Sequence, residues 1–240
     1  MKGLICAVVS WLFVGPALLV GAAFQNHWDD RFFISGVNGF ARAAVSYNGK
    51  LIVGGQFNWA GLVPATNVAS WDGTSWLAVN LASSGWQVNG LTVLNGSLFA
   101  AGSFVDGPIT NIAHWDGTRW QPVGWSSLGY FNDLHGANGQ LFGHGQRWVG
   151  NVSYYFFGRW DGSEWRIDET TNGPFVTAFA SDGSNTYVGG SFRSLAGIAA
   201  TNLARFDGQN WFAVSANTPP GVSRRCGRRC PVDCGEPGHL

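Results

Sequence analysis

Three features of the sequence predict an all-β fold built from four-stranded antiparallel meanders. They are a ten-residue signature written four times, a second marker in step with it, and a composition rich in turn formers. The signature reads "NVASWDGTSW" from Asn67, "NIAHWDGTRW" from Asn111, "FFGRWDGSEW" from Phe156 and "NLARFDGQNW" from Asn202. Its anchors Trp71, Trp115, Trp160 and Phe206 are 44, 45 and 46 residues apart. The second marker reads "LIVGGQF" from Leu51, "LFAAGSF" from Leu98, "LFGHGQR" from Leu141 and "TYVGGSF" from Thr186. Two markers in one phase define an internal repeat. Among the 240 residues there are 35 Gly, aromatics make up 15% and charged residues only 12%, against roughly 25% charged in an ordinary domain. That balance favours short strands over helices.

Each unit divides into four strand signals. In the second unit these are "VNGLTVL" from Val88, "SLFAAGSF" from Ser97, "NIAHWDG" from Asn111 and "RWQPVG" from Arg119. Asn95-Gly96 separates the first pair and Asp116-Gly117 the second, and such dipeptides supply the positive φ values of tight hairpins. The same reading places turns at Asn48-Gly49, Asn138-Gly139, Asp72-Gly73, Asp161-Gly162 and Asp207-Gly208. No apolar period of 3.6 residues interrupts the pattern. A meander of about 45 residues cannot bury both of its faces alone, and radial stacking of such blades covers them while leaving few open edges. The predicted fold is therefore a β-propeller of about four blades, near residues 36–79, 86–124, 130–168 and 174–214. Four blades make the smallest ring, so an incomplete ring, associating with itself through open blade edges, is one expected form.

The flanks read differently from the body. Residues 1–23 carry Lys2, a long apolar run containing Pro16, and small residues at Gly21, Ala22 and Ala23, the pattern of a secretory signal peptide. An uncleaved anchor is the alternative, because the run reaches the roughly 20 residues that span a bilayer. The mature chain is expected outside the cytoplasm, whether secreted, at the cell surface or in a periplasm, with no membrane segment once the signal is removed. Beyond Cys6, cysteines occur only in "SRRCGRRCPVDC", as Cys226, Cys230 and Cys234 of an irregular tail at 215–240. The body is thus held by packing and not by disulfides. Net charge is zero, and Arg224, Arg225, Arg228 and Arg229 fall in the tail, so the body has no basic field for nucleic acid.

The unit "LYVGGxF…NIAxWDGxxW" resembles the repeat of large secreted bacterial propeller proteins grouped with the kelch and galactose oxidase central-domain superfamily. The resemblance covers roughly residues 28–214, including the opening "HWDDRFFISGVNG". It implies the fold and leaves function open, because such propellers serve as enzymes, adhesins and scaffolds alike. A galactose oxidase copper site is not implied, since it needs a thioether-forming Cys and the body has none.

No residue stands out as catalytic, and no cofactor or metal site is expected. Asp72, Asp116, Asp161 and Asp207 recur in every unit, whereas a catalytic acid is needed once; an Asp that bonds backbone donors in a turn is needed each time. The Trp71/Trp76, Trp115/Trp120 and Trp160/Trp165 pairs flank that turn and read as cross-strand packing. His135 and His144 alone are too few for a metal, and the Cys-x3-Cys-x3-Cys spacing of the tail does not match a zinc finger.

Strand parity says more. Strands alternate in direction, so the Asn-Gly and Asp-Gly turns share one face, and the second-to-third and unit-to-unit connections share the other. The latter include "NWAGLVPAT", "VDGPIT", "RWVGNVSYY", "RSLAGIAAT", "LASSGWQ" and "WSSLGY". They hold the tryptophans that break the repeat, Trp59, Trp86, Trp125 and Trp148, with Tyr130 and Tyr154 nearby. These six are the candidate ligand-binding residues. The expected function is a non-catalytic binding or scaffold module engaging a protein or a glycan through this face. Two alternatives stand beside it, a propeller domain of an extracellular hydrolase or lyase and a truncated repeat fragment without independent function. An enzyme would need charged groups from several innermost strands, which offer only Arg42, Asp133 and His135.

Overall fold

The computed structural model describes residues 36–81, 86–124, 129–170 and 173–214. The segment read as a signal peptide, Trp125 and the cysteine-containing tail lie outside the described residues.

The four stretches that carry the signature form four antiparallel sheets, each of four strands in chain order, and there is no helix among the described residues. The first sheet holds β1 (Phe40–Tyr47) and β2 (Lys50–Gln56), then a side ribbon of β3 (Trp59–Ala60) and β4 (Val63–Pro64), then β5 (Val68–Trp71) and β6 (Trp76–Ala78). The second is β7 (Gln87–Leu94), β8 (Ser97–Asp106), β9 (Ile109–Trp115) and β10 (Trp120–Pro122). The third is β11 (Tyr130–Ala137), β12 (Gln140–Val149), β13 (Val152–Trp160) and β14 (Trp165–Thr170). The fourth is β15 (Phe175–Ser181) and β16 (Thr186–Ser191), a ribbon of β17 (Ser194–Leu195) and β18 (Ile198–Ala199), then β19 (Leu203–Phe206) and β20 (Trp211–Ala213).

Two kinds of turn close these sheets, and the sequence reading treated them as one. Asn48 and Gly49 have φ of 49° and 74°, the two left-handed residues of a two-residue hairpin. Asn95-Gly96 and Asn138-Gly139 repeat this. The Asp-Gly turns are not tight hairpins of that kind. Between Trp71 and Trp76 lies a four-residue loop in which Gly73 alone is left-handed, with φ 104°. Asp72 contributes an acceptor instead: its Oδ1 receives the backbone N–H of Ser75 at 2.8 Å and of Thr74 at 2.9 Å. Those donors, Ser75 first, hold its carboxyl well below the usual carboxylate range. Asp116, Asp161 and Asp207 accept in the same way. Asp182-Gly183 does so too, replacing Asn-Gly in the first hairpin of the fourth sheet.

A second correction concerns the connections expected to be long loops. In the second and third sheets, "VDGPIT" and "RWVGNVSYY" are strand extensions that close at Gly107 and Gly150, both left-handed at φ 58° and 61°. In the first and fourth sheets the same connections are the side ribbons. Pairing is favoured because it satisfies backbone groups that an irregular loop would leave to water. The Asn that opens the signature serves this region. Asn67, Asn111 and Asn202 are left-handed at φ 61°, 62° and 63°, and their Oδ1 atoms accept the N–H groups of Phe57, Phe104 and Phe192 at 3.4, 3.0 and 3.3 Å.

Packing joins the sheets in series. Ile52, Val68, Val88, Leu98, Phe104 and Trp120 form a core between the first and second sheets. Ile112, Phe131, Leu134, Leu141 and Phe156 form one between the second and third. Phe142, Phe157, Val176, Val188 and Phe206 form one between the third and fourth. β7 packs against both β1 and β11, so the first strands of the first three sheets are neighbours. Among the described residues no core joins the fourth sheet back to the first.

The signature aromatics are cross-strand partners. Trp71 pairs with Trp76, Trp115 with Trp120, Trp160 with Trp165 and Phe206 with Trp211, with ring centroids 4.9 to 5.8 Å apart. Tilted contacts at this spacing stabilise beyond the area they bury. Trp120 also reaches the preceding sheet, donating from Nε1 to the Val79 carbonyl at 2.9 Å.

Candidate functional site

The first strands share a defect that shapes the centre of the molecule. Each β1–β2 type pair breaks register at one residue, between Ala41 and Ala43, Val88 and Gly90, Phe131 and Asp133, and Val176 and Ala178. The extra residues are Arg42, Asn89, Asn132 and Thr177, polar in every sheet. A bulge leaves its extra residue outside the ladder and re-aims its side chain. Three of the four line one cleft of about 580 Å³, Arg42 from β1, Asn89 from β7 and Asn132 from β11. Gln87, Ser103 and Tyr130 complete its polar wall. Thr177 does not reach it and donates from its hydroxyl to the Gly189 carbonyl at 3.4 Å.

Hydrogen bonds hold part of this wall in place. Asn89 Nδ2 donates to the Phe131 carbonyl at 2.7 Å, tying the second sheet to the third. The Tyr130 hydroxyl donates to Gln146 Oε1 at 2.9 Å. Arg42 is exposed and has no side-chain partner among the described residues. It is the one charged group among the lining residues, and no carboxylate among them offsets it.

The bulges lie near the start of each first strand, the end remote from the Asn-Gly turns. The cleft therefore belongs to the face that carries the connections between sheets. On that face Trp59 sits in the β3–β4 ribbon, its backbone N–H donating to Asn38 Oδ1 at 3.0 Å. Trp86 directly precedes the cleft residue Gln87, and Trp148 lies near the tip of the β12–β13 hairpin, 60% exposed. All three indoles are exposed. Tyr154 is half-buried with the Arg147 guanidinium 5.4 Å from its ring centre. Among the described residues no ring contact joins Trp59, Trp86 and Trp148 to one another, so they are separate rings on one side and not one aromatic platform. Of the six candidates the structure brings Tyr130 into the cleft, and Trp86 adjoins the lining residue Gln87 along the chain.

Reasoning from sequence missed Gln87, Asn89, Ser103 and Asn132. A signal for the bulge residues was present: the third residue of "FARAA", "QVNGL", "YFNDL" and "FVTAF" is polar each time. The charged inner-strand residues behave differently from one another. His135 is half-buried and stacks on Phe179 at 5.6 Å with the rings 4° apart, and burial holds its pKa below the ordinary value while Asp133 opposes that. Neither His135 nor Asp133 lines the cleft. No protein-family model matches this sequence, and no curated protein is significantly similar to it.

Proposed function

We propose that this chain is a secreted binding module, a propeller of the kelch-like kind whose four sheets are blades, and that it takes a glycan through its connection-bearing face. The observation that carries this reading is the polar cleft built by bulges of three successive first strands. The common strand order and the packing of β1, β7 and β11 support the propeller. Carboxamides and hydroxyls in the cleft match the hydroxyls of a sugar in kind, and the exposed indole of Trp86, the residue before Gln87, offers a surface for a sugar's apolar face. An extracellular hydrolase or lyase would need an acid and a base reaching bound substrate. The cleft offers one cation among neutral groups.

The test is a glycan array followed by calorimetric titration of each hit. Trp59→Ala, Trp86→Ala and Trp148→Ala should leave thermal stability close to that of the parent, and at least one, Trp86→Ala first, should weaken binding by tenfold or more. Sharp losses of melting temperature with unchanged affinity would show that these rings only pack.

A further inference from the structure

Resting on that reading of the face, we infer that the cleft selects an acidic saccharide, with the sugar carboxylate held by Arg42. The guanidinium is planar and presents five donors in a fork that matches a carboxylate bidentately. Here all of them are uncommitted, because Arg42 has no side-chain partner among the described residues. The bulge at Arg42 turns this cation toward a concave site shared by three sheets. An arginine on an open strand surface would have water on every side. In the cleft its neighbours are Gln87, Asn89, Ser103 and Asn132, none of which neutralises it. A neutral sugar would return only hydroxyl acceptors to the guanidinium, whereas a carboxylate would also meet its charge, with bidentate geometry.

The neighbours suit the rest of such a ligand. Asn89 spends its Nδ2 on the Phe131 carbonyl, which joins the second sheet to the third and leaves Oδ1 as an acceptor for a ring hydroxyl. Tyr130 spends its proton on Gln146, so its oxygen also accepts. Asn132, Gln87 and Ser103 have no side-chain partner among the described residues and can donate as well as accept. One cation set among mixed donors and acceptors is the pattern for a polyhydroxylated ligand bearing a carboxylate.

The experiment titrates the full chain with three acidic probes, a galacturonate trisaccharide, a hyaluronan tetrasaccharide and sialyllactose, each beside its carboxyl methyl ester. The ester keeps every ring and hydroxyl and removes the charge. At least one acid should bind, with its ester weaker by tenfold or more and with affinity that falls as salt rises. Arg42→Ala should remove the difference between acid and ester, and Arg42→Lys should restore only part of it. Asn132→Ala should weaken acid and ester alike, separating hydroxyl recognition from charge recognition. Equal binding of acid and ester, an unchanged Arg42→Ala variant, or no binding of any acid at millimolar concentration would each overturn the inference. A neutral glycan that needs Trp86 but not Arg42 would overturn it too, while leaving the glycan-binding reading of the face intact. Silence from every glycan and every tryptophan variant would remove both.

Discussion

The first and second sheets are written in nearly the same letters and are buried very differently. Leu51 pairs with Trp71 in one and Leu98 with Trp115 in the other, in the same register. Yet Leu51 is 43% exposed and Leu98 only 1%. The difference extends along the inner strands: no residue of β1 is fully buried, whereas Val88, Gly90, Leu91 and Thr92 of β7 are. Position among neighbours explains it. β7 lies between β1 and β11, and Leu98 faces the core shared with the first sheet. The outward side of the first sheet carries only the small cluster of Val53, Phe57, Ala60, Ala65 and Ala69, all from its own unit. A repeat therefore specifies which residues can be buried, and the adjoining sheet decides which of them are.

Truncating the two leucines would sharpen that comparison most. Leu98→Ala should cost about 3 kcal/mol or more, as removal of a fully buried leucine does. Leu51→Ala should cost less than about 1 kcal/mol. Chemical denaturation of the two variants side by side reads the difference, and equal losses would break the comparison.

A smaller effect is expected where the first strands approach. A Cβ on Gly90 would lie 2.7 Å from the backbone nitrogen of Leu134 in the third sheet, whereas the matching position in the first sheet is already Ala43. Gly90→Ala should destabilise by about 2 kcal/mol through forced separation of the sheets. Ala43→Gly should change stability by about 1 kcal/mol or less. Denaturation midpoints check both, and a neutral Gly90→Ala would show that the strands can part freely.

The smallest effect is a pH dependence of the third-to-fourth sheet contact. Burial lowers the His135 pKa in the folded chain, so the unfolded chain takes up its proton first as pH falls through about 6.5. The contribution of His135 is present above that pH and is lost below it. The denaturation midpoint should be lower at pH 5 than at pH 7.5, and His135→Phe, which keeps a ring against Phe179, should flatten the slope. An unaltered slope would place the titration elsewhere.

Much of this architecture was legible in the sequence. The strand signals around Asn95-Gly96 and Asp116-Gly117 become β7 to β10 almost as read, because hairpin turns and alternation are local properties. The cross-strand pairing of Trp115 with Trp120 follows from the spacing around one turn. The cleft was harder to read. Arg42, Asn89 and Asn132 looked like ordinary strand residues, since a bulge shows itself only when the partner strand is in place.

The sequence by itself determined the all-β character, the four-strand plan of each unit, and the Asp and Asn residues that close its turns. These follow from backbone geometry within a few residues, where side-chain type and φ preference suffice. Tertiary structure decided which copies of a repeated leucine are buried, which connections extend as paired strands, and which three polar side chains meet in one cleft. Those outcomes depend on groups some 45 residues apart along the chain, brought together only when whole sheets pack against one another.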